Sequence, residues 1–134
     1  MAKSLIARSR EFWEANEISC VTDKTEYFST FSKRSKDLFG FVDFVAITGM
    51  GSDAPQVYYV QSTSYDNMLA RMKKILDEPC LPIAEALVDA GTGVVVEGWK
   101  KEGNRWQCYR SQFDGEQFSP RKPATYQIQR RIRY

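Results

Sequence analysis

Two apolar runs joined by a short, breaker-rich loop limit what this chain can become. The first is Phe41-Val-Asp-Phe-Val-Ala-Ile-Thr48 and the second is Val57-Tyr-Tyr-Val-Gln-Ser-Thr-Ser64. Gly49-Met-Gly-Ser-Asp-Ala-Pro55 lies between them. The first run barely alternates between apolar and polar residues, the pattern of a strand covered on both faces. The loop is short enough for an antiparallel hairpin. Such a hairpin needs other elements packed around it. The runs also carry polar groups that a core strand does not need: Asp43 in the first, Gln61 and Thr63 in the second. A carboxylate in an apolar run is costly to desolvate unless it is paired or binds a metal. Alternate strand residues share a face, so Gln61 and Thr63 point one way, and the right register adds Asp43.

The flanking sequence supplies the rest of a sheet and its helices. Ser4–Asn16 has helical spacing, with Leu5, Ile6, Phe12 and Trp13 on one broad face, Ser4 as N-cap and Asn16 as stop. Ile18–Thr22 is a short strand, and Tyr27–Phe31 is a second strand or a loop. Ser32-Lys-Arg-Ser-Lys36 reads as a cationic loop entering the Asp37–Ile47 block. Asn67–Asp77 is a helix with an apolar stripe of Met68, Leu69, Met72, Ile75 and Leu76, capped by Ser64 or Asp66. Pro82 starts a further helix, Ile83–Asp89, which Ala90-Gly-Thr-Gly93 ends. Val94–Lys101 and Arg105–Phe113 are strands across the Glu102-Gly-Asn104 turn. Trp99, Trp106 and Tyr109 in that hairpin are expected to pack the sheet. The sum is an α/β fold, a mixed central β-sheet flanked by helices. At 134 residues one domain is expected, spanning 1–119, with a basic C-terminal tail at 120–134.

Charge and composition narrow the chemistry. The chain has no histidine, and its three cysteines (Cys20, Cys80, Cys108) are far apart with no Cys-x-x-Cys. That argues against a Cys/His zinc centre and removes Ser-His-Asp and Cys-His catalysis. Acid–base work falls to carboxylates, lysine, tyrosine or a metal-bound water. The net charge is +2, yet residues 121–134 hold Arg121, Lys122, Arg130, Arg131 and Arg133 and no acid. This asymmetry suggests contact with a polyanion, or else a merely solvated end. No apolar run reaches the length of a membrane span, and the N-terminus lacks a signal-peptide core. A cytoplasmic setting is therefore expected.

Asp43, the Gln61 amide oxygen and a hydroxyl or main-chain carbonyl would make a hard-oxygen set suited to Mg²⁺ or Mn²⁺. In this arrangement the chain resembles the PD-(D/E)XK nuclease superfamily, and within it the small Holliday-junction-resolvase-like and restriction-endonuclease-like domains of phage and bacteria. The blocks that carry the resemblance are Asp37-Leu-Phe-Gly-Phe-Val-Asp43, Val60-Gln-Ser-Thr-Ser64, Asn67-Met-Leu-Ala-Arg71 and Gly98-Trp-Lys-Lys101. The resemblance covers roughly residues 4–113. It implies an αβββαβ-type core and a metal-dependent endodeoxyribonuclease, with branched or structured DNA among its candidate substrates. The metal ligands would be Asp43, Gln61 and the Ser62 carbonyl. The catalytic set would be Asp43, Gln61 and Thr63, and Thr63 stands where the motif has lysine. Lys36, Arg71 or Lys74 would then be a migrated cation, and Glu11 or Glu14 would be the superfamily's N-terminal acid. Lys33, Arg34, Lys36, Arg71, Lys74, Arg130, Arg131 and Arg133 are the candidate DNA contacts. The resemblance also admits a homodimer, since cutting two strands needs two symmetry-related sites. The alternative is a degraded nuclease fold that binds DNA or another partner without cutting.

Overall fold

The computed structural model describes residues 3–25, 27–29 and 34–124, with the backbone alone at 27–29 and 34–36. Helix α1 runs Leu5–Asn16. Ser4 caps it as expected, its Oγ accepting the Ala7 N–H at 3.0 Å and so satisfying one of the donors left free at a helix start. Then come strands β1 (Val21–Lys24), β2 (Tyr27–Ser29), β3 (Arg34–Lys36), β4 (Phe44–Thr48) and β5 (Gln56–Ser64). A 3₁₀ turn at Tyr65–Asn67 leads to helix α2 (Met68–Leu76) and helix α3 (Cys80–Asp89). Strands β6 (Gly93–Glu102), β7 (Arg105–Phe113) and β8 (Lys122–Pro123) complete the described chain.

Six strands form a mixed sheet in the order β1-β4-β5-β6-β7-β8, and β2 and β3 make a separate two-stranded ribbon. The hairpin expected from the two apolar runs is present: β4 and β5 pair antiparallel, Phe44 opposite Val60 and Thr48 opposite Gln56. The step from β5 to β6 is parallel. A parallel step needs a crossover, and α2 and α3 supply it. Both helices pack on one face of the sheet, where Met68, Ile75, Cys80 and Ala84 meet Val94, Val96 and Phe113. On the other face, Trp13 of α1 meets Phe44, Ala46, Tyr58, Val60 and Val95. The chain is thus α/β with a mixed sheet flanked by helices. No helix among the described residues is long and apolar enough to cross a membrane.

Several boundaries depart from expectation. β4 begins at Phe44 because Phe41 and Val42 belong to a turn that folds back on Leu38. Arg34–Lys36, expected as loop, is a strand whose backbone pairs with β2. α2 has no side-chain cap: neither Ser64 nor Asn67 provides one, and Asp66 lies within the 3₁₀ turn. α3 starts at Cys80, earlier than Pro82 suggested, because the Cys80 and Leu81 N–H groups both reach the Asp77 carbonyl at 3.0 Å. Pro82 still falls in the first turn, where its missing N–H costs nothing. Past the Asp114 turn, Lys122 and Pro123 lie on the edge of β7.

Candidate active site

The site is built by a reverse turn that the two aspartates flank. Leu38 and Val42 form an antiparallel bridge. Phe39 and Gly40 both turn through left-handed backbone, at φ 58° and φ 82°. Glycine takes that conformation freely, whereas a Cβ makes it costly. The bridge sets Asp37 and Asp43 on facing arms, so residues six apart in sequence meet at the mouth of the turn. Asp43 then fastens to β5 at two points. Its N–H donates to the Val60 carbonyl at 2.8 Å. Its Oδ2 accepts the Ser62 N–H, also at 2.8 Å. Asp43 therefore straddles Gln61.

The electrostatics are those of a crowded, dry carboxyl. Asp43 is 5% exposed. Its pKa is raised from 3.8 to about 7, chiefly by burial. The Asp37 carboxyl beside it adds to the rise, while the Ser62 N–H and the Arg71 guanidinium on α2 pull the other way. Gln61 and Thr63 are buried too, at 2% and 5% exposure. Strand alternation points them to the same face as Tyr59, which packs with the α2 side chains. The Gln61 Oε1 is buried with no hydrogen-bond partner. A buried amide oxygen normally has one, and leaving it without costs about 1–3 kcal/mol. A buried, orphaned oxygen on the strand that holds Asp43, together with a carboxyl that resists ionising, is what a hard cation would satisfy. The residues present therefore fit Mg²⁺ or Mn²⁺. The donor set is mixed, two carboxylates and an amide. Accordingly, no group of three or more His, Cys, Asp and Glu side chains is gathered among the described residues.

No protein-family model, curated protein or solved structure matches this chain. The chemistry of the site rests on its own atoms.

Of the expected cations, Arg71 is half-buried and acts on Asp43, whereas Lys74 is exposed on the last turn of α2. Arg34 and Lys36 lie on β3, immediately before Asp37, with only their backbone described. Lys33, Arg130, Arg131 and Arg133 fall outside the described residues. Neither acid of α1 serves the site. Glu11 pairs with Lys3 at 2.6 Å on the surface, and Glu14 accepts from the Thr22 hydroxyl. What α1 brings to this strand is Ser9. Trp99 Nε1–H donates to Ser9 Oγ at 2.7 Å, and Ser62 Oγ donates to the Leu5 carbonyl at 3.0 Å. That leaves Ser9 as the donor in its 2.7 Å bond to Ser62. The Ser62 side chain is thus committed to α1, and its main-chain N–H to Asp43.

The residue that sequence reasoning missed as a site member is Asp37. Its signal was the spacing of two aspartates around Leu-Phe-Gly-Phe, in which Gly40 alone marks the turn. A second buried charge cluster lies on the α1 face. Glu97 Oε2 there accepts from Trp13 Nε1 and Arg110 Nε, each at 2.7 Å. Arg110 also lies 4.4 Å from the Trp13 ring centroid. This cluster ties α1 to β6 and β7 and is separate from the aspartate pair.

Proposed function

We propose that the chain is a divalent-metal-dependent endodeoxyribonuclease, hydrolysing phosphodiester bonds in DNA on a restriction-endonuclease-like core. Branched or structured DNA is among its substrates. One observation carries this: the partnerless, buried Gln61 Oε1 on the strand to which Asp43 is fastened at Val60 and Ser62. Asp43, Gln61 Oε1 and the Ser62 main-chain carbonyl would hold Mg²⁺ or Mn²⁺. A bound ion would supply a water of lowered pKa and positive charge against the phosphate oxygens.

The chain's own residues do the rest. Asp43 gives up its proton as the cation binds, and the Ser62 N–H keeps that carboxylate oriented. Asp37 would add a second carboxylate beside a bound ion. Thr63 brings no charge, so the cation that would steady the charge building on the phosphate is Arg71, the one basic side chain among the described residues that acts on Asp43. Purified protein with Mn²⁺ should nick junction or plasmid DNA, and Asp43→Ala should abolish this. Wild-type protein inert on every DNA substrate would remove the nuclease reading.

The second reading, a nuclease fold that binds DNA or a partner without cutting, is favoured by the buried Thr63 in the lysine position. It predicts DNA binding that Mn²⁺ does not convert to cleavage.

A further inference from the structure

A second basic feature lies past the end of β5, and among the described residues its cations enter no ion pair. Tyr65 follows β5 directly, two residues beyond Thr63, and packs on Tyr109 with ring centroids 4.6 Å apart. Two cations gather on the Tyr65 ring: Arg121 at 4.3 Å from its centroid and Lys100 at 5.0 Å. Arg121 is also fixed by a 3.4 Å bond from one guanidinium nitrogen to the Tyr65 carbonyl. That leaves its other donors open. Among the described residues every ion pair involves other cations, namely Lys3 and Arg110. The nearest acid in the sequence of that hairpin, Glu102, accepts instead from the Tyr109 hydroxyl at 2.8 Å.

Holding two like charges on one ring costs Coulomb energy, and cation–π attraction offsets only part of it at a surface. The arrangement has an obvious complement, a polyanion that meets both charges at once. The placement suits it. Thr63 is in register with Gly98 on the parallel neighbour β6, so Lys100 begins about 8 Å from Thr63 on strand spacing and rise. Lys100 and Gly98 also share a face with Thr63, because alternate strand residues do.

We propose that Tyr65 is a positioning residue that holds Lys100 and Arg121 as a two-cation clamp on the DNA backbone, along the strand from the cleaved phosphate. The clamp deepens the nuclease reading and rests on it.

The test is salt-dependent binding of the full chain carrying Asp43→Asn, which cannot consume the DNA, to a labelled duplex. Each neutralised phosphate adds about 0.9 to the slope of log affinity against log salt. Lys100→Gln with Arg121→Gln should flatten that slope by about 2. Tyr65→Leu should flatten it similarly, while Tyr65→Phe, which keeps the ring, should retain the parent slope. Binding with an unchanged slope in the double variant overturns the clamp and leaves the nuclease reading standing. So does a Tyr65→Phe slope as flat as that of Tyr65→Leu. Absence of DNA binding by the Asp43→Asn parent at low salt overturns the DNA reading and the clamp together.

Discussion

Asp43 is the residue on which the proposed chemistry turns, and its environment makes a prediction about pH. Burial and the facing Asp37 raise its pKa from 3.8 to about 7. Between those values the folded protein keeps a proton that the unfolded chain releases. The contribution of Asp43 to stability is therefore greatest below about pH 4, falls as pH rises to about 7, and levels off above. In metal-free buffer Asp43→Asn should raise the melting temperature at pH 8, by an amount corresponding to about 1–3 kcal/mol. At pH 4 it should change little. Melting curves that shift equally at both pH values would contradict this account of Asp43. At this scale Asp43, Gln61 and Thr63 were legible because each interrupts an apolar run. Asp37 was not, since Leu38, Phe39 and Phe41 hide a turn inside what looks like a strand.

At the scale of elements, the site depends on how closely the start of α2 approaches β6. Gly98 permits that approach. A Cβ there would lie 2.9 Å from Tyr65 Cα and inside the Met68 side chain. Gly98→Ala should destabilise the fold by about 1–3 kcal/mol through overpacking, read as a lowered denaturant midpoint. The same substitution should displace Tyr65 and weaken DNA binding. An unchanged midpoint would mean that α2 sits less tightly than the structure gives it. β7 was legible to the residue, Arg105–Phe113, because turn residues bound it on both sides. The ends of β4 and α3 were not. Left-handed backbone at Phe39 and Gly40 and carbonyl bonds at Asp77 set those ends, and composition does not encode them.

Across the whole molecule, a sheet that is antiparallel except at the β5–β6 step carries helices on both faces. On one, α1 is locked down by Trp13, Glu97 and Arg110. On the other, α2 and α3 cover the core and bring Arg71 to the carboxyl pair at the end of β5. The layered α/β class followed from the alternation of apolar runs and helical stripes. The separate β2–β3 ribbon and the docking of Lys122–Pro123 on β7 arise from long-range pairing that local pattern does not reveal. The central claim is that Asp43 and Gln61 together hold a divalent cation. A crystal grown with Mn²⁺ and measured for anomalous scattering tests it most directly. The account predicts one peak in contact with both the Asp43 carboxylate and Gln61 Oε1. A well-ordered site with no peak there, at saturating Mn²⁺ and pH 8, would contradict it.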